Sequence, residues 1–226
     1  MKFAIVRGTA ASLHAMEPAG DQPEFSATWN VVTQPALVLG STQPIDSVDT
    51  AVLRARGIDL VRRRSGGGSV LMLPGEMAWL DVVVPRGHPR WSDDVGHAMW
   101  WLGDVWVRAL AGCGVAGVVH RGGMEGADLG RLVCFAGRGA GEVLVAEHPA
   151  GTPAKLVGIS QRRTRYAARL QSSMHIVWRP DLVASLIVDE EVTADRLTPL
   201  VRAVDVDVAL LMAALESAME PSLEPS

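Results

Sequence analysis

Leu60–Pro85 reads LVRRRSGGGSVLMLPGEMAWLDVVVP. Its opening Leu-Val, the run from Val70 and the run Ala78–Val84 are apolar and β-type. Arg62–Arg64 and Gly66–Gly68 separate the first two runs, and a Pro74-Gly75 turn separates the last two. That order predicts a strand–loop–strand–turn–strand meander. Three successive glycines lose much conformational entropy on folding and pack no side chain. Without Cβ atoms, however, their backbone can approach a ligand closely and aim N–H groups at an anion. The arginines upstream add planar donors suited to phosphate or carboxylate. Composition leaves two readings open: an anion site built from Arg63, Arg64, Ser65, Gly66, Gly67 and Gly68, or a flexible hairpin beside a solvated basic patch.

Around this stretch lie 226 residues, 48% hydrophobic and 20% charged, a balance that supports a packed core rather than disorder. The length suits one large domain or one domain with a small appendage. A formal charge of −4 argues against a general nucleic-acid binder. Arginines nevertheless cluster at Arg62–Arg64 and Arg162–Arg169, so a local basic site can sit on an acidic body. Cys113 and Cys134 form no CxxC or Cys/His pattern, which excludes a disulfide scaffold and gives no metal-ligand spacing. The N-terminus is too short in apolar residues for a secretory signal, and no stretch approaches the roughly 20 needed for a membrane span. The expectation is a cytoplasmic protein with reduced thiols and no membrane or nucleic-acid partner.

Along the chain, residues 2–6 read as a strand and 7–26 as a loop or irregular helix. Residues 28–40 carry two short β-like runs broken at Pro35, which cannot donate to a ladder. Residues 47–56 read as a helix stopped at Arg56-Gly57. Val95, Met99, Leu102, Trp106 and Ala109 predict an amphipathic helix over 93–111. Strands are expected at 131–136, 142–146, 155–160 and 173–179, with a turn at Pro149–Pro153. Helical segments near 181–188, 194–203 and 206–219 follow, and the last residues are expected to fray. No internal repeat is visible. The division is a catalytic domain over 1–180 with residues 181–226 as a helical section of the same domain.

Two further features carry possible chemistry. Lys155 opens the apolar run KLVGIS, so its stem can pack while its amine holds a carboxylate, phosphate or developing oxyanion. A surface lysine at a strand end is the bland alternative. Cys134 sits in an apolar segment ahead of the glycine-rich Gly137–Gly141. Such a cysteine is either a small buried hydrophobe or, near cationic groups, a thiol with nucleophilic character.

Taken together, RRRSGGGSV with the downstream PGE turn, and then Lys155–Arg163 (KLVGISQRR), resemble the lipoate-protein ligase and octanoyltransferase family. Ala36–Gly40 followed by Gln43 looks like the family's apolar strand with its G-x-x-Q ending. The resemblance covers roughly residues 28–178, and the two main motifs are specific jointly rather than singly. The GRGRxxR signature of the related biotin ligases is absent. The resemblance implies an α+β (mixed α/β) fold with a central mixed sheet flanked by helices, like that of class II synthetase-like biotin ligases. It implies that Arg63–Gly68 hold the acyl chain and its activating group. Through the Lys-x-x-Gly-x-x-Gln element it implies binding roles for Gly158 and Gln161 and contact between Lys155 and the reacting carboxyl or phosphate. Cys134-Phe135 resembles the element of cysteine-dependent octanoyltransferases and lipoyl amidotransferases, which implies a thioester on Cys134.

The sequence departs from the family in several places. No Asn-Asp pair stands near Ala127-Asp128 or Cys134, His175 is displaced and lacks its glycine, and Leu71-Met72 replaces an aromatic residue and a histidine. No separate accessory domain of the ATP-dependent ligases is recognisable. These gaps weaken an ATP-dependent ligase more than a transferase. The expected function is transfer of an octanoyl or lipoyl group to a lysine of a lipoyl-domain acceptor or a glycine cleavage H-type carrier. The alternatives are a ligase using lipoate, ATP and Mg²⁺, or a non-catalytic acyl-binding relative. Lipoate or octanoate is the expected substrate, and acyl carrier protein is a possible donor.

Overall fold

The computed structural model describes residues 1–18, 20–146 and 153–220. The first half runs β1 (Ala4–Gly8), α1 (Ala10–Ala15), β2 (Ser26–Val32), β3 (Ala36–Leu39), α2 (Thr50–Ala55), β4 (Asp59–Arg62), β5 (Val70–Met72), β6 (Met77–Pro85) and α3 (Trp100–Gly112). The second half runs β7 (Gly117–Val119), α4 (Ala127–Gly130), β8 (Val143–Val145), β9 (Lys155–Arg163), β10 (Ala167–His175), α5 (Pro180–Leu186), α6 (Ala194–Leu197) and α7 (Val208–Ala218). Seven strands form a mixed sheet in the order β1-β2-β6-β10-β9-β8-β7, and β4-β3-β5 form a smaller one.

Alternation along the central strands sorts their side chains between two layers. Ala78, Leu80, Val82 and Val84 of β6 enter one core with Leu170 and Met174 of β10. Leu102, Val105, Trp106, Ala109 and Leu110, spaced at three and four residues, turn one face of α3 into the same core. Each large apolar side chain fully buried there contributes about 1.5–3 kcal/mol. On the opposite face, β6 and β10 present Trp79, Asp81, Arg169, Gln171 and Ser173, and the small sheet lies over this side. A second cluster joins Leu37, Leu39 and Leu53 to Val183, Leu186 and Leu197, so the C-terminal helices pack against the small sheet.

The expected meander is corrected. β4 and β5 do not pair with each other; β3 lies between them, parallel to β4 and antiparallel to β5. β6 belongs to the large sheet, between β2 and β10. Pro35 separates β2 from β3 along the chain, which passes there from the large sheet to the small one. The long helix starts later than its periodicity suggests. Asp94 accepts the N–H groups of Gly96 and His97, fixing a turn and leaving Val95 exposed.

No strand spans 131–136. Gly126, with φ +64°, and the close contact of Gly130 with Gly137 fold the segment into α4 and a short 3-10 turn at Cys134–Ala136. The strand expected at 173–179 occupies 167–175, because Thr164 caps a β9–β10 hairpin through Tyr166 and Ala167 N–H groups. α1, capped by Thr9, is the short helix within the segment read as a loop or irregular helix, and β7 was not anticipated. The predicted turn at Pro149–Pro153 lies, except for Pro153, outside the described residues, as do 221–226 of the C-terminal tail. No helix among the described residues is long and apolar enough to cross a membrane.

Candidate active site

A narrow slot of about 40 Å³ opens between the small sheet and the polar face of the large one. Val38, Val70 and Met72 form its apolar side, facing Trp79, Gly158, Ser160, Gln171 and Ser173, while Cys134 and His14 also border it. Its shape comes from glycine. A Cβ on Gly40 would stand 1.8 Å from the Gly67 carbonyl, and one on Gly68 would stand 2.6 Å from both Gly130 O and Val133 N. The loop after β4 can therefore lie flat between the end of β3 and the 130–134 segment only without side chains. Backbone bonds hold it there: Gly68 N to Gly130 O, Ser69 N to Leu132 O and Cys134 N to Ser69 O. Gln43, buried in the same corner, reaches Leu132 O and Ser47 Oγ with its amide. The G-x-x-Q ending is thus part of the packing beneath the loop.

The arginines do not form the free anion site that their sequence suggests. Arg62 donates to the carbonyls of Gly40, Ser41 and Gln43. Arg63 is buried, and it donates to Ser65 Oγ at 3.1 Å, Val38 O at 3.2 Å, Gly66 O at 2.7 Å and Gly68 O at 2.8 Å. Arg64 pairs with Glu17, which Arg162 also approaches. Unpaired loop carbonyls draw in guanidinium donors because a buried acceptor without a partner is costly. The loop's remaining donors are backbone: the N–H groups of Gly66 and Gly67 make no hydrogen bond among the described residues. Ser65, also buried, hydrogen-bonds Ser160 Oγ across to β9. Gly67 has φ +93°, and a Cβ there would lie 3.6 Å from Cys134 Sγ, so thiol and loop are neighbours.

Beneath Cys134 is a buried ion pair. Lys155 is 1% exposed, and its Nζ lies 2.7 and 2.8 Å from the two carboxylate oxygens of Glu142. It also donates to the Cys134 carbonyl at 2.9 Å and stands 5.4 Å from the centre of the Phe135 ring. Glu142 in turn accepts the N–H groups of Gly139 at 2.6 Å and Ile159 at 3.3 Å. These contacts account for all three ammonium protons, so the surface-lysine alternative fails. Lys155 lies under the turn rather than at the slot's mouth. Gly158 faces Phe135, where a Cβ would come within 3.3 Å of the ring. Gln161 stands off the slot: strand alternation turns it from Ser160's side to the helical side, where it donates to Val95 O. Of the other cations near Cys134 in sequence, Arg138 pairs with Glu125 and Arg131 approaches Asp128.

The sequence reading missed Glu142, His14, Trp79 and Phe135's role as a wall. Glu142 had left a signal, an acid opening the apolar run Val143–Val145. His14 had none, lying in a segment without periodicity. Its ring lies against Trp79, tilted by 34°, at 4.6 Å between ring centres. Burial, then the charges of Arg63 and Arg169, lower its pKa from 6.5 to about 3. Burial alone lowers His175, whose ring meets Phe135 edge-on, from 6.5 to about 3.

The slot thus brings together apolar walls, the Cys134 thiol and the unpaired backbone N–H groups of Gly66 and Gly67. The family model of the lipoyl protein ligase A/B catalytic domain matches residues 10–218, and the chain belongs to that family of protein lipoylation enzymes. The bipartite lipoate protein ligase of Thermoplasma acidophilum, studied with its E2 lipoyl domain, is 15% identical. It superposes with a TM-score of 0.71 over 96% of this chain and 82% of that one. A lipoate-protein ligase A bound with ATP, 14% identical, gives 0.68 over 96% and 84%. LipL1 of P. falciparum in complex with lipoate, 11% identical, gives 0.58 over 89% and 51%. At such identities the likeness shows the shared fold, the mixed-sheet architecture that the motifs implied. No curated protein matches the sequence.

Proposed function

We propose that the protein passes an octanoyl or lipoyl group to a lysine of a lipoyl-domain acceptor through a thioester on Cys134. The observation carrying this reading is the thiol's position at the slot, against Gly67 and on a turn whose carbonyl Lys155 holds. The Cys134 thiolate attacks the acyl carbonyl of a donor thioester, and the N–H groups of Gly66 and Gly67 are the nearest candidates to receive the oxyanion. The new C–S bond replaces the donor's, and the donor thiol leaves with the proton. The acceptor amine then attacks the enzyme thioester, forming the amide and freeing Cys134.

The acceptor belongs to the proposal. Its support is the family and the T. acidophilum ligase studied with an E2 lipoyl domain. A glycine cleavage H-type carrier as acceptor and acyl carrier protein as donor extend it. The same proposal treats 1–180 as the catalytic domain, with 181–226 its helical section, in a cytoplasmic protein. The competing ligase reading draws on the relative bound with ATP. It would use lipoate, ATP and Mg²⁺, and it calls for guanidinium groups free to take phosphate at the glycine loop. Commitment of Arg62 and Arg63 to loop carbonyls and of Arg64 to Glu17 favours the thioester route. Intact-mass analysis of an apo lipoyl domain tests the choice, with octanoyl carrier protein in one tube and lipoate plus MgATP in another. Modification only in the first is expected; modification only in the second makes the protein a ligase.

A further inference from the structure

The slot has two chemically different ends. Gly158, Ser173 and Trp79 stand opposite one another on β9, β10 and β6. Two strand spacings separate Gly158 from Trp79, about 10 Å, which is close to the reach of an eight-carbon acyl chain. Phe135 and the Cys134 turn lie at the Gly158 end. At the Trp79 end lies His14, an imidazole in a place where a plain alkyl tail would want only carbon.

His14 is held rather than loose. Arg169 donates to the carbonyls of Leu13, His14 and Met16 at the end of α1 and pairs with buried Asp81, which also takes the Trp79 indole N–H at 2.7 Å. Gln171 Nε2 lies 3.3 Å from His14 Nδ1. An amide nitrogen has only hydrogens to offer, so Nδ1 accepts and the neutral ring carries its proton on Nε2. That Nε2 is buried and has no hydrogen-bond partner among the described residues, although the residue is only 8% exposed. A buried donor left unpaired is destabilising, and because His14 borders the slot, a bound chain can supply the missing acceptor after a small adjustment of the ring.

Resting on the acyl-binding reading above, we infer that His14 is a specificity-determining residue that favours an acyl chain with sulfur at its far end over a plain alkyl chain. A dithiolane sulfur is a weak acceptor for Nε2–H, and it is polarisable against the Trp79 ring. A terminal methyl group offers neither contact. The selected class is therefore the lipoyl group, with octanoyl accepted less well.

Calorimetric titration of the whole chain with lipoate, octanoate and the carbocyclic isostere, in which cyclopentane replaces the dithiolane, isolates the sulfur. The wild type should bind lipoate about three- to tenfold more tightly than the isostere, the size of one modest hydrogen bond. His14→Leu should bind the two alike, whereas His14→Gln, which keeps a donor, should retain part of the difference. Equal wild-type affinity for lipoate and the isostere overturns the inference, however the variants fold. Binding of none of the three overturns the acyl-binding reading itself, which is a separate result.

Discussion

Arg62, Arg63 and Arg64 place three cations side by side ahead of the glycines, and none is free: the first two hold loop carbonyls and the third an exposed glutamate. Across the slot, the Cys134–Glu142 segment works with a single interior cation, Lys155, and a single interior anion. The first region turns charge into a fixed backbone path. The second buries an ion pair under a thiol, where the pair is costly to keep and more costly to break. A charge run in sequence therefore marks where a loop needs donors, while an isolated lysine heading an apolar strand marks where a buried charge has a dedicated partner.

The largest effect should come from splitting the pair. Lys155→Met leaves Glu142 buried and uncompensated, a loss of about 3–5 kcal/mol, and acyl transfer should fall on the order of 10²–10³-fold as the Cys134 turn loses its tether. Replacing both partners, Lys155→Met with Glu142→Leu, should regain most of the stability in denaturant melts and none of the transfer. Wild-type turnover in the double variant would show the pair to be structural only.

A smaller contrast runs within the glycines. Gly68→Val should cost about 1–3 kcal/mol or more, because its Cβ meets backbone that cannot withdraw. Gly66→Ala, with nothing within 4 Å, should stay within about 1 kcal/mol of wild type by thermal melting. Gly67→Val falls between in stability but should lose ligand binding, since its side chain would point toward Arg63 and the thiol from a left-handed φ. Equal tolerance at all three positions would reduce the loop to a connection.

The gentlest test is acid. His14 and His175 titrate near 6.5 when unfolded and near 3 when folded. Between those values the unfolded chain binds more protons, so stability should fall as pH drops from about 6.5 toward 3 and be unaffected by these groups above that window. His175→Gln should flatten the slope in urea titrations across that range. An unchanged slope would mean that His175 is solvated.

Much of this was legible beforehand, and the reasons are local. The G-x-x-Q, RRxSGGG and Lys-x-x-Gly motifs are contiguous, and β6 and α3 declare themselves by an apolar β-type run and by three- and four-residue spacing. Sheet order was not legible, because β3 inserts between β4 and β5 through a long-range pairing that no adjacent residue encodes. Glycine contacts folded 131–136 into turns although its residues favour strand. His14 could not be found either, since its partners Trp79, Gln171 and Arg169 come together only in the fold. The free guanidinium groups expected at Arg63 and Arg64 are instead taken by loop carbonyls and Glu17, and the partner of Lys155, Glu142, stands at the head of another strand that its own segment does not reveal.

The central claim is a thioester on Cys134, and intact-mass and peptide analysis after incubation with octanoyl carrier protein tests it most directly. A hydroxylamine-labile acyl group should appear on Cys134 of the wild type and of Cys113→Ser, whose thiol lies at the far end of α3. Cys134→Ser should lose adduct and transfer together. Undiminished transfer by Cys134→Ser, with strict dependence on ATP, would contradict the account.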